Sequence, residues 1–146
     1  MNTNIVDVLL VEDNMSDSEL ILRELKKHHV SNSIFHVKDG QEALEYLLAT
    51  GRYSDRNASD LPKLILLDIQ MPKVNGMEVL GKIKADPSMN FIPVVMLTSS
   101  GESFDIKTCY GLGANSYIVK PLTFERFSDA IKNIGFYWLL LNQKPN

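Results

Sequence analysis

The sequence predicts an α/β fold, a parallel sheet of five strands covered by helices on both faces. Five short β-branched or apolar runs recur along the chain, at 5–11, 33–37, 64–67, 93–97 and 116–119. Segments of helical period lie between them, and strands that alternate with helices are joined by right-handed crossovers. The third run, Leu64-Ile65-Leu66-Leu67, shows no apolar–polar alternation, which is the mark of a strand buried on both faces.

Each helix carries its own signals. Helix one is predicted from a capping box, Ser16-x-x-Glu19, ahead of Leu20, Ile21 and Leu25. Helix two starts in the same way at Asp39-x-x-Glu42, places Ala43, Leu44, Leu47 and Leu48 on one face, and is expected to stop at Gly51. Residues 51–60, GRYSDRNASD, form a polar, turn-rich interruption that reads as a surface loop and not a domain linker. Helix three is expected over 77–85, ending before Asp86-Pro87, where the proline disfavours helix in the residue before it. Helix four falls between Ser103 and Leu112, and the last helix runs from Thr123 towards Asn142. No internal repeat interrupts the pattern.

Composition bounds the function. At 146 residues, 45% apolar and 23% charged, the chain suits one globular domain with a proper core. The net charge is −3 and no basic run reaches five residues, which disfavours a nucleic-acid surface. A single cysteine, Cys109, rules out an internal disulfide, suits a reducing cytosol and reads as a small buried hydrophobe on helix four. The N-terminus lacks a cationic n-region, and no apolar run approaches the ~18 residues of a membrane span. A cytoplasmic protein without membrane contact is the expectation.

Chemistry enters at the strand ends. The first run exits into Glu12-Asp13, the third into Asp68, the fourth into Thr98 and the fifth into Lys120-Pro121. The C-terminal ends of parallel strands share one sheet edge, and neighbours lie about 4.8 Å apart, so these groups converge on a patch about 10 Å across. Such an edge is where open α/β sheets bind ligands. Three carboxylates at close range repel and call for a cation. Oxygen ligands without His or Cys select a hard ion, Mg²⁺ first, with Mn²⁺ as its substitute. A metal held by Glu12 and Asp13 leaves the Asp68 carboxylate as a nucleophile towards phosphorus. Lys120 as a point charge and the Thr98 hydroxyl as a donor are then candidates for the phosphoryl oxygens.

VLLVEDN, LILLDIQMPKVNG, VVMLTSS and YIVKP, taken together, closely resemble the receiver domain of two-component response regulators, over nearly the whole chain. The resemblance implies a doubly wound, flavodoxin-like receiver fold with strand order 2-1-3-4-5, and phosphorylation of the strand-three aspartate by a histidine kinase. It implies Asp68 as phosphoacceptor, and Mg²⁺ held by Asp13, by Glu12 directly or through water, by Asp68, and by the backbone carbonyl of Gln70. Thr98 and Lys120 resemble the switch hydroxyl and the phosphate-binding lysine, with Ser99-Ser100 as the small loop that admits phosphate. Tyr117 holds the aromatic switch position. Lys120-Pro121 matches the family's cis peptide, and Gly76 its flexible turn into helix three. On phosphorylation Thr98 would move inward and Tyr117 would rotate, shifting the population of the helix four–strand five surface.

Two other classes share parts of this pattern. Phosphatases of the haloacid dehalogenase type also use a strand-end Asp nucleophile, but place a general-acid Asp two residues later, where this chain has Gln70. A flavodoxin would offer amides and hydroxyls to an anionic phosphate in its first loop, not Glu12 and Asp13. The histidines suggest no metal site: His28 and His29 fall in the last turn of helix one and His36 stands isolated on strand two.

The chain reads as a single receiver, 1–146, with a core of about 5–135, a last helix reaching about 142 and no output domain. Phe124, Phe127, Ile131, Ile134, Trp138 and Leu141 form the stripe expected to pack on the sheet. Phe136, Leu139 and Leu140 lie on the opposite face and mark a partner surface. With helix four and strand five, this face is expected to form a homodimer or to dock a protein effector. The 51–60 loop and the aromatic C-terminal extension resemble the small stand-alone regulators paired with bacterial phytochromes.

Overall fold

A computed structural model of the chain describes residues 6–27, 33–71, 73–98, 103–119 and 124–135. The described strands are β1 (Val8–Val11), β2 (Ile34–Val37), β3 (Leu64–Asp68), β4 (Val94–Thr98) and β5 (Ser116–Val119). They alternate with α1 (Met15–Lys27), α2 (Gly40–Leu48), α3 (Gly76–Ala85), α4 (Ser103–Gly111) and α5 (Phe124–Gly135). All pairings are parallel, in the order β2-β1-β3-β4-β5.

The two central strands explain why the sequence reads as unbroken apolar runs. All four residues of β1 and all five of β3 are buried, and alternate side chains serve opposite faces. Leu9, Val11, Ile65, Leu67, Val94 and Met96 meet Ala43 and Leu47 of α2 and Val79, Leu80 and Ile83 of α3. Cys109 of α4 is fully buried in the same cluster, as its expected role as a small hydrophobe required. Val8, Leu10, Leu64, Leu66, Val95 and Leu97 pack on the other side against Ile21 and Leu25 of α1. Each of these aliphatic side chains contributes about 1.5–3 kcal/mol by burial. On that second face α1 meets α5, where the Ser128 hydroxyl donates to the buried Glu24 carboxylate.

The helix ends correct two expectations. Helix α1 begins at Met15, and its cap is Asn14, whose Oδ1 accepts from Asp17 N at 2.9 Å. Ser16 therefore sits inside the first turn and does not form the predicted box with Glu19. Asn caps as well as Ser, and it follows directly on the Glu12-Asp13 pair. Helix α2 is capped as predicted by Asp39, whose Oδ1 accepts from Glu42 N at 2.7 Å. The Glu42 carboxylate returns to Lys38 N, one residue before the cap, at 3.2 Å. Its stop is Ala49, not Gly51. Ala49 takes a left-handed φ of 55°, its N–H reaches the Tyr46 carbonyl, and Thr50 N reaches Glu45 O at 2.9 Å. Gly51, also left-handed at φ 55°, opens a 3-10 turn over Gly51–Tyr53.

The polar 51–60 segment is a surface loop, as expected, but a packed one. Arg52 Nε lies 2.9 Å from Glu45 Oε1, and the Tyr53 hydroxyl donates to Glu42. Arg56 donates to the Tyr46 carbonyl and stands 3.8 Å above the Tyr46 ring. Tyr46 stacks on Phe35 of β2 at 4.7 Å between centroids, and Tyr53 meets both rings edge-on. The predicted extension of the last helix towards Asn142 lies outside the described residues, as do Phe136, Trp138, Leu139, Leu140 and Leu141. His28 and His29 do as well.

Candidate functional site

Register brings the acids together. Val11 of β1 pairs with Leu67 of β3, so Glu12 and Asp68, the next residues, stand level at the same sheet edge. Asp68 pairs with Leu97, and the following residue, Thr98, ends β4 opposite Val119 of β5. Lys120, the next residue after β5, lies outside the described residues, together with Ser99, Ser100, Pro121 and the expected cis peptide.

Carboxylate oxygens of Glu12, Asp13 and Asp68 all lie within 4.8 Å of one another. Glu12 is fully buried and Asp68 is 5% exposed, whereas Asp13 is open to solvent. Burial of two acids beside a third is costly at this spacing, where each pair of charges repels by about 3 kcal/mol at an effective dielectric near 20. The Glu12 carboxylate accepts from Asn14 N at 3.2 Å, so the α1 cap residue also steadies the cluster. The donor set is oxygen only and partly exposed on one side, which fits a hard divalent cation such as Mg²⁺.

His36 is not isolated. Its Nε2 lies 2.7 Å from the Glu12 carbonyl oxygen and ties the acidic loop to the neighbouring strand. Sequence reasoning missed this partner, although the parallel pairing of Leu10 with His36 supplies the signal once register is known.

The turn beyond Asp68 depends on contact and not on flexibility. Gly76 is buried, and its N–H donates to Ile69 O at 2.8 Å. A Cβ at this position would overlap the Asp68 carbonyl oxygen and stand 2.7 Å from Ile69 Cα. Its φ is not in the left-handed region, unlike those of Gly51 and Gly113. The expected flexible turn is therefore a close-packing point, needed because α3 starts against the backbone of the strand it follows. Asn75 caps that helix through Glu78 N at 3.0 Å.

The remaining candidates are placed as follows. Gln70 lies exposed two residues past Asp68. Tyr117 is partly buried on β5 opposite Met96 and packs against the α2–α3 side of the core. No helix among the described residues is long and apolar enough to cross a membrane.

Known proteins share this fold. The response regulator receiver domain family matches residues 8–132. The response regulator Rcp1 of Synechocystis is 36% identical over 132 residues, covering 90% of this chain and 88% of that protein. The probable methanogenesis regulatory protein FilR2 of Methanothrix harundinacea is 39% identical, covering 94% and 86%. Among solved structures, the phosphorylated cyanobacterial phytochrome response regulator RcpA superposes with a TM-score of 0.88 at 38% identity, covering 97% and 99%. The bacteriophytochrome response regulator AtBRR has a TM-score of 0.74 at 46% identity, covering 95% and 99%. These similarities support neither the haloacid dehalogenase nor the flavodoxin reading. The chain belongs to the response regulator receiver domain family, a family of Mg²⁺-binding signalling modules that partner histidine kinases.

Proposed function

We propose that this chain is a receiver in which Asp68 accepts a phosphoryl group from a histidine kinase. The observation that carries the proposal is the convergence of Glu12, Asp13 and Asp68 at the C-terminal edge of the sheet. An Asp68 carboxylate oxygen attacks the phosphorus of the kinase's phosphohistidine in line. The O–P bond forms as the P–N bond breaks, the imidazole leaves with the electron pair, and Asp68 becomes an acyl phosphate. Bound Mg²⁺, or Mn²⁺ in its place, offsets the charge of the carboxylates and of the transferred group. A Mn²⁺-bound form of Rcp1 is known. Here the proposed ligands are Asp13, Asp68, Glu12 directly or through water, and the Gln70 carbonyl. Lys120 and Thr98 hold the phosphoryl oxygens, and Thr98 with Tyr117 passes the change to the α4–β5–α5 surface. Phosphotransfer and hydrolysis of its own acyl phosphate are the only chemistry expected of the chain.

The names of its relatives extend the reading. RcpA and AtBRR are response regulators of phytochromes, so a bacterial phytochrome kinase in the cytoplasm is the proposed input. The proposed signal leaves this receiver through a protein effector or a homodimer. Phe136, Leu139 and Leu140 are the proposed contact residues.

The test is incubation with Mg²⁺ and a small acyl-phosphate donor, followed by mapping of base-labile adducts. A Mg²⁺-dependent adduct on Asp68, absent from Asp68→Asn, is expected. Rapid multiple turnover of unrelated phosphomonoesters, or no Mg²⁺-dependent adduct, would overturn the proposal. Phosphotransfer from a phytochrome kinase that changes with illumination tests the input.

A further inference from the structure

The loop that follows the phosphoacceptor strand is gripped from outside by the first turn of α2. Gly40 opens that helix and is buried. A Cβ on Gly40 would overlap the Val74 carbonyl oxygen and stand 2.7 Å from its carbon and 2.9 Å from Val74 Cβ. The neighbouring Asp39 reaches the same stretch, with its Oδ2 3.5 Å from Lys73 Nζ while its Oδ1 caps the helix. Lys73 holds a left-handed φ of 66°, a conformation that a non-glycine residue keeps only where its surroundings impose it. Two residues past Val74, Gly76 rests on the Asp68 carbonyl. The stretch 73–76 therefore lies between the start of α2 and the backbone of Asp68 itself.

We infer that Asp39 and Gly40 are positioning residues for Asp68 and, through it, for the divalent cation. This deepens the proposed function and rests on it. The Gly40–Val74 contact is made to backbone, so no rotamer change relieves a side chain placed there. The loop must shift, and Gly76 carries that shift to the Asp68 carbonyl. A site that needs its groups held to within ~0.5 Å is sensitive to such a displacement. Asp39 acts on the same loop by charge, pulling Lys73 towards α2. Neither residue touches the transferred group.

The experiment compares Gly40→Ala, Asp39→Asn and a control, Gly81→Ala, with the unmodified full chain. Gly81 lies within α3, where an added Cβ meets only Leu112 Cδ2, at 3.9 Å. Asn keeps the capping oxygen of Asp39 but removes its charge. Mn²⁺ affinity is read from the electron paramagnetic resonance of free Mn²⁺, and thermal unfolding is followed without metal. A role confined to folding lowers the unfolding temperature and leaves the affinity of the folded chain unchanged. Gly40→Ala is expected to bind Mn²⁺ at least tenfold more weakly, on the order of the loss that small displacements of site groups produce. Asp39→Asn should bind roughly threefold more weakly with little change in unfolding temperature, and Gly81→Ala within about twofold of the unmodified chain. Gly40→Ala within twofold of the unmodified chain overturns the inference. If Gly40→Ala does not fold, Asp39→Asn decides, and an unchanged affinity overturns it. An unmodified chain that binds no Mn²⁺ overturns the proposed function first and this inference with it.

Discussion

Glu12 and Asp68 stand level at the ends of adjacent strands, both buried, with carboxylate oxygens within 4.8 Å. Two negative charges at that distance repel by about 3 kcal/mol at an effective dielectric near 20. Asp68→Asn is therefore expected to unfold at a higher temperature than the unmodified chain when metal is chelated. Added Mg²⁺ should then raise the unfolding temperature of the unmodified chain and hardly move that of the variant, because a ligand stabilises only the state that binds it. Scanning fluorimetry with and without chelator measures both, and equal Mg²⁺ responses would contradict the assignment of Asp68 as a ligand.

The start of α1 offers a test of local structure. Asn14 caps the helix and its backbone N–H also holds the Glu12 carboxylate, whereas Ser16 lies inside the first turn. Asn14→Ala should lower stability by about 1 kcal/mol, and Ser16→Ala by less than about 0.5 kcal/mol. Urea denaturation resolves the difference. The reverse order would restore the predicted Ser16 cap.

The clasp of the 51–60 loop on α2 should respond to acid. Hydrogen bonds from Arg52 and then from Gln41 hold the Glu45 carboxyl at about 2, below its ordinary value of 4.5. A lowered folded value means that the contact stabilises the fold above pH 4.5 and is lost as pH falls from there towards 2. Protection factors of the amides around Arg52 and Tyr53, which correct for the intrinsic pH dependence of exchange, are therefore expected to fall within that window, more in dilute buffer than in high salt, since the pair is exposed. Arg52→Ala should remove the pH dependence.

Lys84 is the structural lysine of the opposite sheet edge. Its Nζ donates to Asn90 O at 3.1 Å, Ile92 O at 2.8 Å and Asn115 Oδ1 at 3.2 Å. Asn115 Oδ1 also accepts from Val94 N at 2.9 Å, so one ammonium ties the approach to β4 to the approach to β5. Burial pushes its pKa down. Lys84→Met keeps the aliphatic stem but leaves these acceptors without the ammonium, at an expected cost of about 2 kcal/mol. Phosphorylation at the far edge should remain, so chemical denaturation combined with adduct mapping separates the two roles.

Much of this site is legible in the sequence alone. Asp68 follows four consecutive aliphatic residues, and in a parallel sheet such a run can end only at the edge where the other runs end. Glu12 and Asp13 were readable for the same reason. The Asp39 cap was legible because it lies within three residues of the amide it serves. Ser16 misled because its local pattern matches that of Asn14, and the choice depends on where β1 releases the chain. The partner of His36, the Glu12 carbonyl, is 24 residues away in sequence, beyond the reach of any local pattern.

The order of apolar runs, the residues at their ends and the lack of any basic run of five residues determined the fold class and the kind of chemistry. Those signals are local or compositional, and hydrophobic periodicity carries them without knowledge of neighbours. Tertiary structure alone decided that His36 steadies Glu12, that Gly76 packs on Asp68, and that α2 grips the loop through Gly40. Each is a contact between segments whose meeting depends on strand register and helix packing, and a side chain or a missing Cβ acquires its role only when that packing brings its partner within reach.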